Sequence, residues 1–140
     1  MKILLAVDGS DYTKRMLAYL ATHEEMLGKA DSFTALTVVP GIPPRPLSFL
    51  DPSVVEEYFR SESERVLEPV RRFAAQKGWP LAAERRVGHA GDVIAEVADG
   101  GRYDLVVMGS HGHSALAGAV LGSVTARVLA KCRTPLLILH

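Results

Sequence analysis

The sequence predicts an α/β fold: one domain over residues 1–140, built on an open five-stranded parallel sheet of order 3-2-1-4-5 with helices on both faces. Three observations lead there. Short apolar runs alternate strictly with longer stretches of helical periodicity, which implies parallel strands joined by right-handed crossovers. The first run, Ile3 to Val7, is apolar throughout, whereas the third, Leu81 to Val87, carries Glu84, Arg85 and Arg86. A continuous apolar run suits a central strand, and charge marks an edge. Finally, 140 residues with one cysteine can bury a core without disulfides or metal.

Each element follows from its own signals. Ile3 to Val7 is stopped by Asp8-Gly9-Ser10, and Ser10 or Asp11 can cap the first helix. Leu17, Leu20, Ala21 and Leu27 recur at helical spacing, with Gly28 as a C-terminal stop. Phe33 to Val39 is the second strand. Prolines at 40, 43, 44, 46 and 52 punctuate a segment too long for an ordinary connection, and such loops act as lids, as binding loops or remain disordered. From Ser53 to Lys77, Val55, Tyr58, Phe59, Val66, Val70 and Phe73 form one helical stripe. Pro69 removes the hydrogen bond to Arg65 and costs about 3 kcal/mol in a regular helix, so a kink or break is expected near Leu67. Gly78 ends this helix. Gly91 or Asp92 opens a third, with Val93, Ile94 and Val97 facing inward and Gly100-Gly101 closing it. Leu105 to Met108 is the fourth strand, Ser123 to Lys131 the fourth helix and Leu136 to Leu139 the fifth strand. No internal repeat or low-complexity tract is present.

Composition removes several functional classes. Sixteen basic and sixteen acidic residues cancel, which argues against a nucleic acid held by bulk charge. Cys132 stands alone, so a reducing compartment fits. The apolar start is too short for a signal peptide or a membrane span, and the expected location is cytoplasmic, with no membrane partner.

The chemistry concentrates in Asp104 to Thr125, DLVVMGSHGHSALAGAVLGSVT. A strand ends where a glycine-rich loop begins, and Gly122, Ser123 and Thr125 open an apolar-periodic helix. Glycines permit positive φ and close approach of backbone N–H groups to a ligand, and a helix start offers unpaired donors suited to phosphate. A tight turn with a Ser N-cap is the bland alternative. No Lys or Arg lies between Gly109 and Ser123, which excludes a Walker loop, and the turn after the first strand is too short for a dinucleotide fingerprint. The strand order places the switch of winding direction between strands one and four, where open α/β sheets bind ligands. Its carboxyl ends are Asp8 and Gly109.

These residues resemble the universal stress protein family, whose nucleotide-binding members carry G-x-x-G-x9-G-[ST] after the fourth strand. Gly109, Gly112, Gly122 and Ser123 match at every position, and ILLAVDGS, VGHAGDVI, DLVVMGSHG, LGSVTARVL and TPLLIL occur in the right order. The resemblance implies a Rossmann-like fold of the adenine nucleotide alpha hydrolase type. It also implies a nucleotide site: Asp8 against the adenosine, Ala6, Val7 and Val38 lining the base pocket, and Met108 and Gly109 near the ribose. Gly112, His113, Gly122, Ser123, Val124 and Thr125 would surround the phosphates with backbone N–H groups and two hydroxyls, with Ser114 a weaker candidate. For Asp8 the alternative role is a cap for the first helix.

His111 and His113 form an H-x-H pair, but zinc needs at least three protein ligands, so no metal held by protein side chains alone is expected and phosphate donation is the preferred role. His89 is read as solvent-exposed and Cys132 as a buried structural thiol.

The preferred function is a regulatory, stress-response module that binds ATP, or AMP or ADP, with little or no turnover and presents different surfaces, loaded and empty, to an unidentified protein partner. A slow ATPase or phosphotransferase on the same site is the alternative. Fast phosphoryl transfer needs cations, a positioned nucleophile and usually a metal. Arg127 is the only nearby cation that the sequence places, although Mg²⁺ can ride on the phosphates with waters. No catalytic residue is assigned. A nucleotide-free dimerisation module is the third reading. The apolar fifth strand needs a cover, and a homodimer through it, the mode the family commonly uses, would supply one.

Overall fold

The computed structural model describes residues 1–27, 30, 32–113 and 118–140. Five parallel strands, β1 (Lys2–Ala6), β2 (Ser32–Val39), β3 (Leu81–Val87), β4 (Leu105–Gly109) and β5 (Leu136–Leu139), lie in the order β3-β2-β1-β4-β5. The expected order is thus observed, with the charged strand at one edge and the apolar first strand at the centre.

Alternation along the strands divides the core in two. Ile3 and Leu5 of β1, with Val7 just beyond its end, pack with Met16, Leu17 and Leu20 of α1 (Asp11–Thr22) and Val66, Leu67 and Val70 of α3 (Pro52–Lys77). On the opposite face, Leu4, Leu36, Val106 and Met108 meet Ile94 and Ala98 of α4 (Ala90–Gly100) and Val128 of α5 (Ser123–Lys131). The inward side of α4 is formed by Gly91, Ile94, Ala95 and Ala98, while Val93 and Val97 are only half-buried. Gly91 allows this approach, since a Cβ there would stand 2.6 Å from the Arg127 side chain.

Three expectations about helices change. The first helix ends at Thr22, where the His23 N–H closes on the Leu20 carbonyl, and Leu27 belongs to a separate 3₁₀ turn, Glu24–Leu27. Gly28 lies outside the described residues. The break expected near Leu67 is absent: α3 runs unbroken for 26 residues through Pro69. Pro69 is exposed while Val66, Leu67, Val70 and Ala74 on both sides of it are buried, so packing holds the helix together with the proline on its exposed side. The first part of α3, by contrast, does not continue the buried stripe, for Val54 and Tyr58 are exposed and Val55 and Phe59 only half-buried. Asp51 caps α3 by accepting from the Ser53 N–H at 2.8 Å, and Gly78, at φ 68°, ends it in the left-handed conformation.

The proline-rich connection folds into a short turn, α2 (Pro44–Leu47), followed by Phe49, which is 85% exposed.

Candidate functional site

Strands β1 and β4 pair side by side, but their chains leave in opposite directions, β1 toward α1 and β4 toward α5. A cavity of about 280 Å³ opens between their carboxyl ends, and all twelve residues that the sequence nominated lie on its wall. The two faces contribute differently. Ala6, Val38 and Met108 point to the α4/α5 side, where Leu36 and Ile94 complete an apolar wall. The Val7 side chain instead packs into the α1/α3 core, so this residue offers the cavity its backbone rather than its isopropyl group.

Asp8 is held from several directions. Its Oδ1 accepts from the Ser10 N–H at 2.9 Å and from the Thr13 hydroxyl at 3.1 Å, and its N–H donates to Thr13 Oγ1 at 3.1 Å. It therefore fixes the start of α1 and also stands on the cavity wall. Its Oδ2 lies against Gly112, where an added Cβ would collide with it. None of the three motif glycines, Gly109, Gly112 and Gly122, has positive φ. Close approach is the reason for glycine at each: a Cβ on Gly109 would be 2.6 Å from Tyr12 Cβ, and one on Gly122 would be 3.1 Å from His111 Cα. The conflict at Gly122 is with the loop's own backbone, not with space inside the cavity.

The phosphate end differs in detail from the sequence reading. The Gly122 N–H already donates to the Ser110 carbonyl at 2.7 Å, and the Thr125 hydroxyl donates to the Gly109 carbonyl at 2.9 Å. One of the two expected hydroxyls is therefore turned away, which leaves Ser123. The amides of Ser123, Val124 and Thr125 form the first turn of α5 and have no carbonyl of their own helix to bind. Gly122, the N-cap, has no side chain to satisfy them.

The two histidines of the loop also differ from their assigned role. His111 is buried, with Nδ1 3.0 Å from Ser110 Oγ and Nε2 2.9 Å from the Ala119 carbonyl. Both ring nitrogens are occupied, so it is not free to donate to phosphate. His113 is exposed and donates through Nε2 to the Asp8 carbonyl at 2.7 Å. Ser114 lies outside the described residues. His89 is the exposed N-cap of α4 and is not on the cavity wall. Cys132 is half-buried, 3.4 Å from Asp99 Oδ1, and desolvation raises its thiol pKa. Among the described residues, no group of three or more His, Cys, Asp or Glu is placed to hold a metal ion.

Arg127, the cation nominated by sequence, instead pairs with Asp92 on α4 at 2.8 Å. The arginine on the cavity wall is Arg65 of α3, bound to Glu62 at 3.1 Å. The sequence reading missed both of these residues, along with Tyr12, Thr13 and Pro40. A signal was present for Glu62, which lies four residues before Val66 and so shares its side of the helix, and Arg65 is the i+3 partner of Glu62.

The profile of the universal stress protein family matches residues 1–140 in full. The chain belongs to the universal stress protein family. A universal stress protein of Thermus aquaticus, named for its position in the QAH/OAS sulfhydrylase 3' region, is 34% identical over 140 residues, covering 99% of this chain and 97% of that protein. Universal stress protein Slr1230 of Synechocystis is 30% identical, and there the chain spans 41% of the longer relative's length. Among solved structures, hypothetical protein MJ0577 of Methanocaldococcus jannaschii superposes with a TM-score of 0.82 at 25% identity, covering 99% of this chain and 94% of that one. A universal stress protein solved in complex with cAMP superposes with a TM-score of 0.66 at 25% identity, covering 100% and 96%.

Proposed function

We propose that the cavity between β1 and β4 binds an adenine nucleotide, ATP or AMP or ADP, and that the protein acts as a nucleotide-responsive regulatory module with little or no turnover. The observation that carries this reading is the meeting, in one cavity, of an apolar wall and a helix start. Ala6, Leu36, Val38, Ile94 and Met108 suit a base, and the first-turn amides of α5, with the Ser123 hydroxyl, suit a phosphate. Asp8, locked in place, stands between them, where a ribose would bring hydroxyl donors. The cAMP complex of a relative of the same fold supports the ligand class.

Weak turnover is the reading favoured by the charges. Arg65, the arginine on the wall, is already paired with Glu62, and Arg127 is engaged by Asp92. Mg²⁺ would be held by the phosphates and water rather than by a cluster of side chains. Isothermal titration with ATP, AMP and adenosine tests the proposal: saturable heat below millimolar ligand supports it, and none at millimolar ligand leaves the dimerisation module as the reading. A homodimer through the exposed edge of β5, whose four side chains are all half-buried, is part of the same proposal. Elution at monomer size at micromolar concentration would count against that contact.

A further inference from the structure

Three consecutive residues, the last of β4 and the two that follow it, each hold one residue of the chain returning to α5. The Gly109 carbonyl accepts from Thr125 Oγ1, the Ser110 carbonyl accepts from the Gly122 N–H, and the His111 ring bonds the Ala119 carbonyl. Each step of one residue along the strand end meets a step of three along the returning chain. Two rungs use backbone carbonyls. The third depends on an imidazole, and its proton is directed by its neighbours.

A carbonyl can only accept, so His111 Nε2 must carry the hydrogen that reaches Ala119. In the neutral ring Nδ1 is then an acceptor, and the Ser110 hydroxyl donates to it. Having spent its hydrogen, Ser110 Oγ accepts from His140 Nδ1 at 2.9 Å. The result is a directed chain, from His140 through Ser110 to His111 and on to Ala119. Ser110 is 3% exposed and His111 8%, so the bond between them is shielded from competing water, while the bonds to His140 and Ala119 at the two ends of the chain are part-buried. Ser110 is itself fixed by donation of its N–H to the Leu139 carbonyl at 2.7 Å.

We propose that His111 is a positioning residue for the phosphate end of the site: although it lies on the cavity wall, both ring nitrogens are committed within the protein, and its Nε2–H fixes the path of Ala119 to Gly122 and thereby the aim of the amides of Ser123 to Thr125. Ser110 acts through it by selecting the tautomer. The ligand part of this proposal rests on the nucleotide reading above, whereas the clamp itself can be measured in the ligand-free protein.

The experiment compares wild type, His111→Ala, His111→Gln and Ser110→Ala in two measurements. The first is amide hydrogen exchange at Gly122 in ligand-free protein. Faster exchange in His111→Ala, with protection restored in His111→Gln, whose side-chain amide can donate again, supports the clamp; unchanged exchange overturns it. The second is titration with ATP and with adenosine. The expected result is about a tenfold loss for ATP in His111→Ala with adenosine changed by less than about twofold, one hydrogen bond's worth of positioning. Equal losses for both ligands would reduce His111 to general support of the fold and overturn the proposal. Ser110→Ala, which keeps the ring and removes the hydroxyl, should show about a threefold loss confined to ATP, and it carries the test if His111→Ala does not fold. If wild type binds neither ligand, the nucleotide reading and the ligand part of this proposal fall, while the exchange measurement still decides the clamp.

Discussion

The ring of His113 donates through Nε2 to the backbone carbonyl of Asp8 at 2.7 Å, across 105 residues of chain. The donation fixes the neutral tautomer, leaving Nδ1 as an acceptor, so a phosphate could draw a ring donor from this residue only in its imidazolium form. The tether joins the two sides of the cavity near its mouth. His113→Ala should weaken ATP and adenosine alike, by about fivefold, because it loosens Asp8 as well as the loop. Isothermal titration checks it, and a loss confined to ATP would reassign the ring to the phosphate.

Ser123 has the hydroxyl that remains available at the start of α5. Ser123→Ala should cost about 1 kcal/mol of ATP binding, about fivefold in affinity, with little change in denaturation midpoint. A loss of stability of the same size would mean that the hydroxyl serves the helix instead.

Gly112 has no room for a methyl group beside the Asp8 carboxylate, and three hydrogen bonds hold Asp8 in place. Gly112→Ala should therefore destabilise the fold by about 1–3 kcal/mol and reduce nucleotide affinity at the same time. Urea denaturation and titration on one preparation measure both.

Asp92 ties α4 to α5 through Lys131 at 2.7 Å and Arg127 at 2.8 Å. Hydrogen bonds from Lys131 and then Arg127 lower its carboxyl pKa from 3.8 to about 2. A depressed carboxylate contributes stability that is present above its unfolded value, near 3.8, and lost as pH falls toward about 2. Asp92→Asn should therefore flatten the acid limb of a stability profile between about pH 4 and 2 while leaving its shape above pH 5 unchanged. The carboxyl chemical shift of Asp92, followed through the same range, tests the assignment directly. High salt should shrink the effect, since the group is partly open to solvent.

Pro69 sits on the exposed side of an intact helix. Replacing it with alanine returns an amide to the Arg65 carbonyl and should raise stability by about 1–3 kcal/mol, read as a higher denaturation midpoint. No gain would mean that the helix already accommodates the ring without cost.

The outline of the fold was legible because strand order depends on features that a sequence displays openly, an unbroken apolar Ile3–Val7 and a charged Glu84-Arg85-Arg86. The location of the cavity followed from that order and from the glycine spacing. Direction was harder to read. That Val7 turns away from Ala6, that Thr125 donates to its neighbour's carbonyl and that His111 is spent on Ala119 are properties of side-chain orientation, decided by three-dimensional packing. Pro69 shows the same limit: its local cost was visible and Val66 and Val70 were read on the apolar stripe, but that their burial, with that of Leu67, outweighs the cost was not. Arg65 and Glu62 escaped notice because they come from a helix distant in sequence from the glycine loop.

The one-to-three match between strand end and returning chain has a consequence for engineering. From Ala119 to Thr125 a single added or deleted residue would break one of the two three-residue steps, put one rung out of register with the other two and turn the α5 amides elsewhere. Gly118, by contrast, stands at φ 82° with open space around the position of a side chain, just outside the last rung. Foreign peptide spliced in at that point would leave the rungs in register, which makes it the natural port for a fluorescent reporter of ligand occupancy.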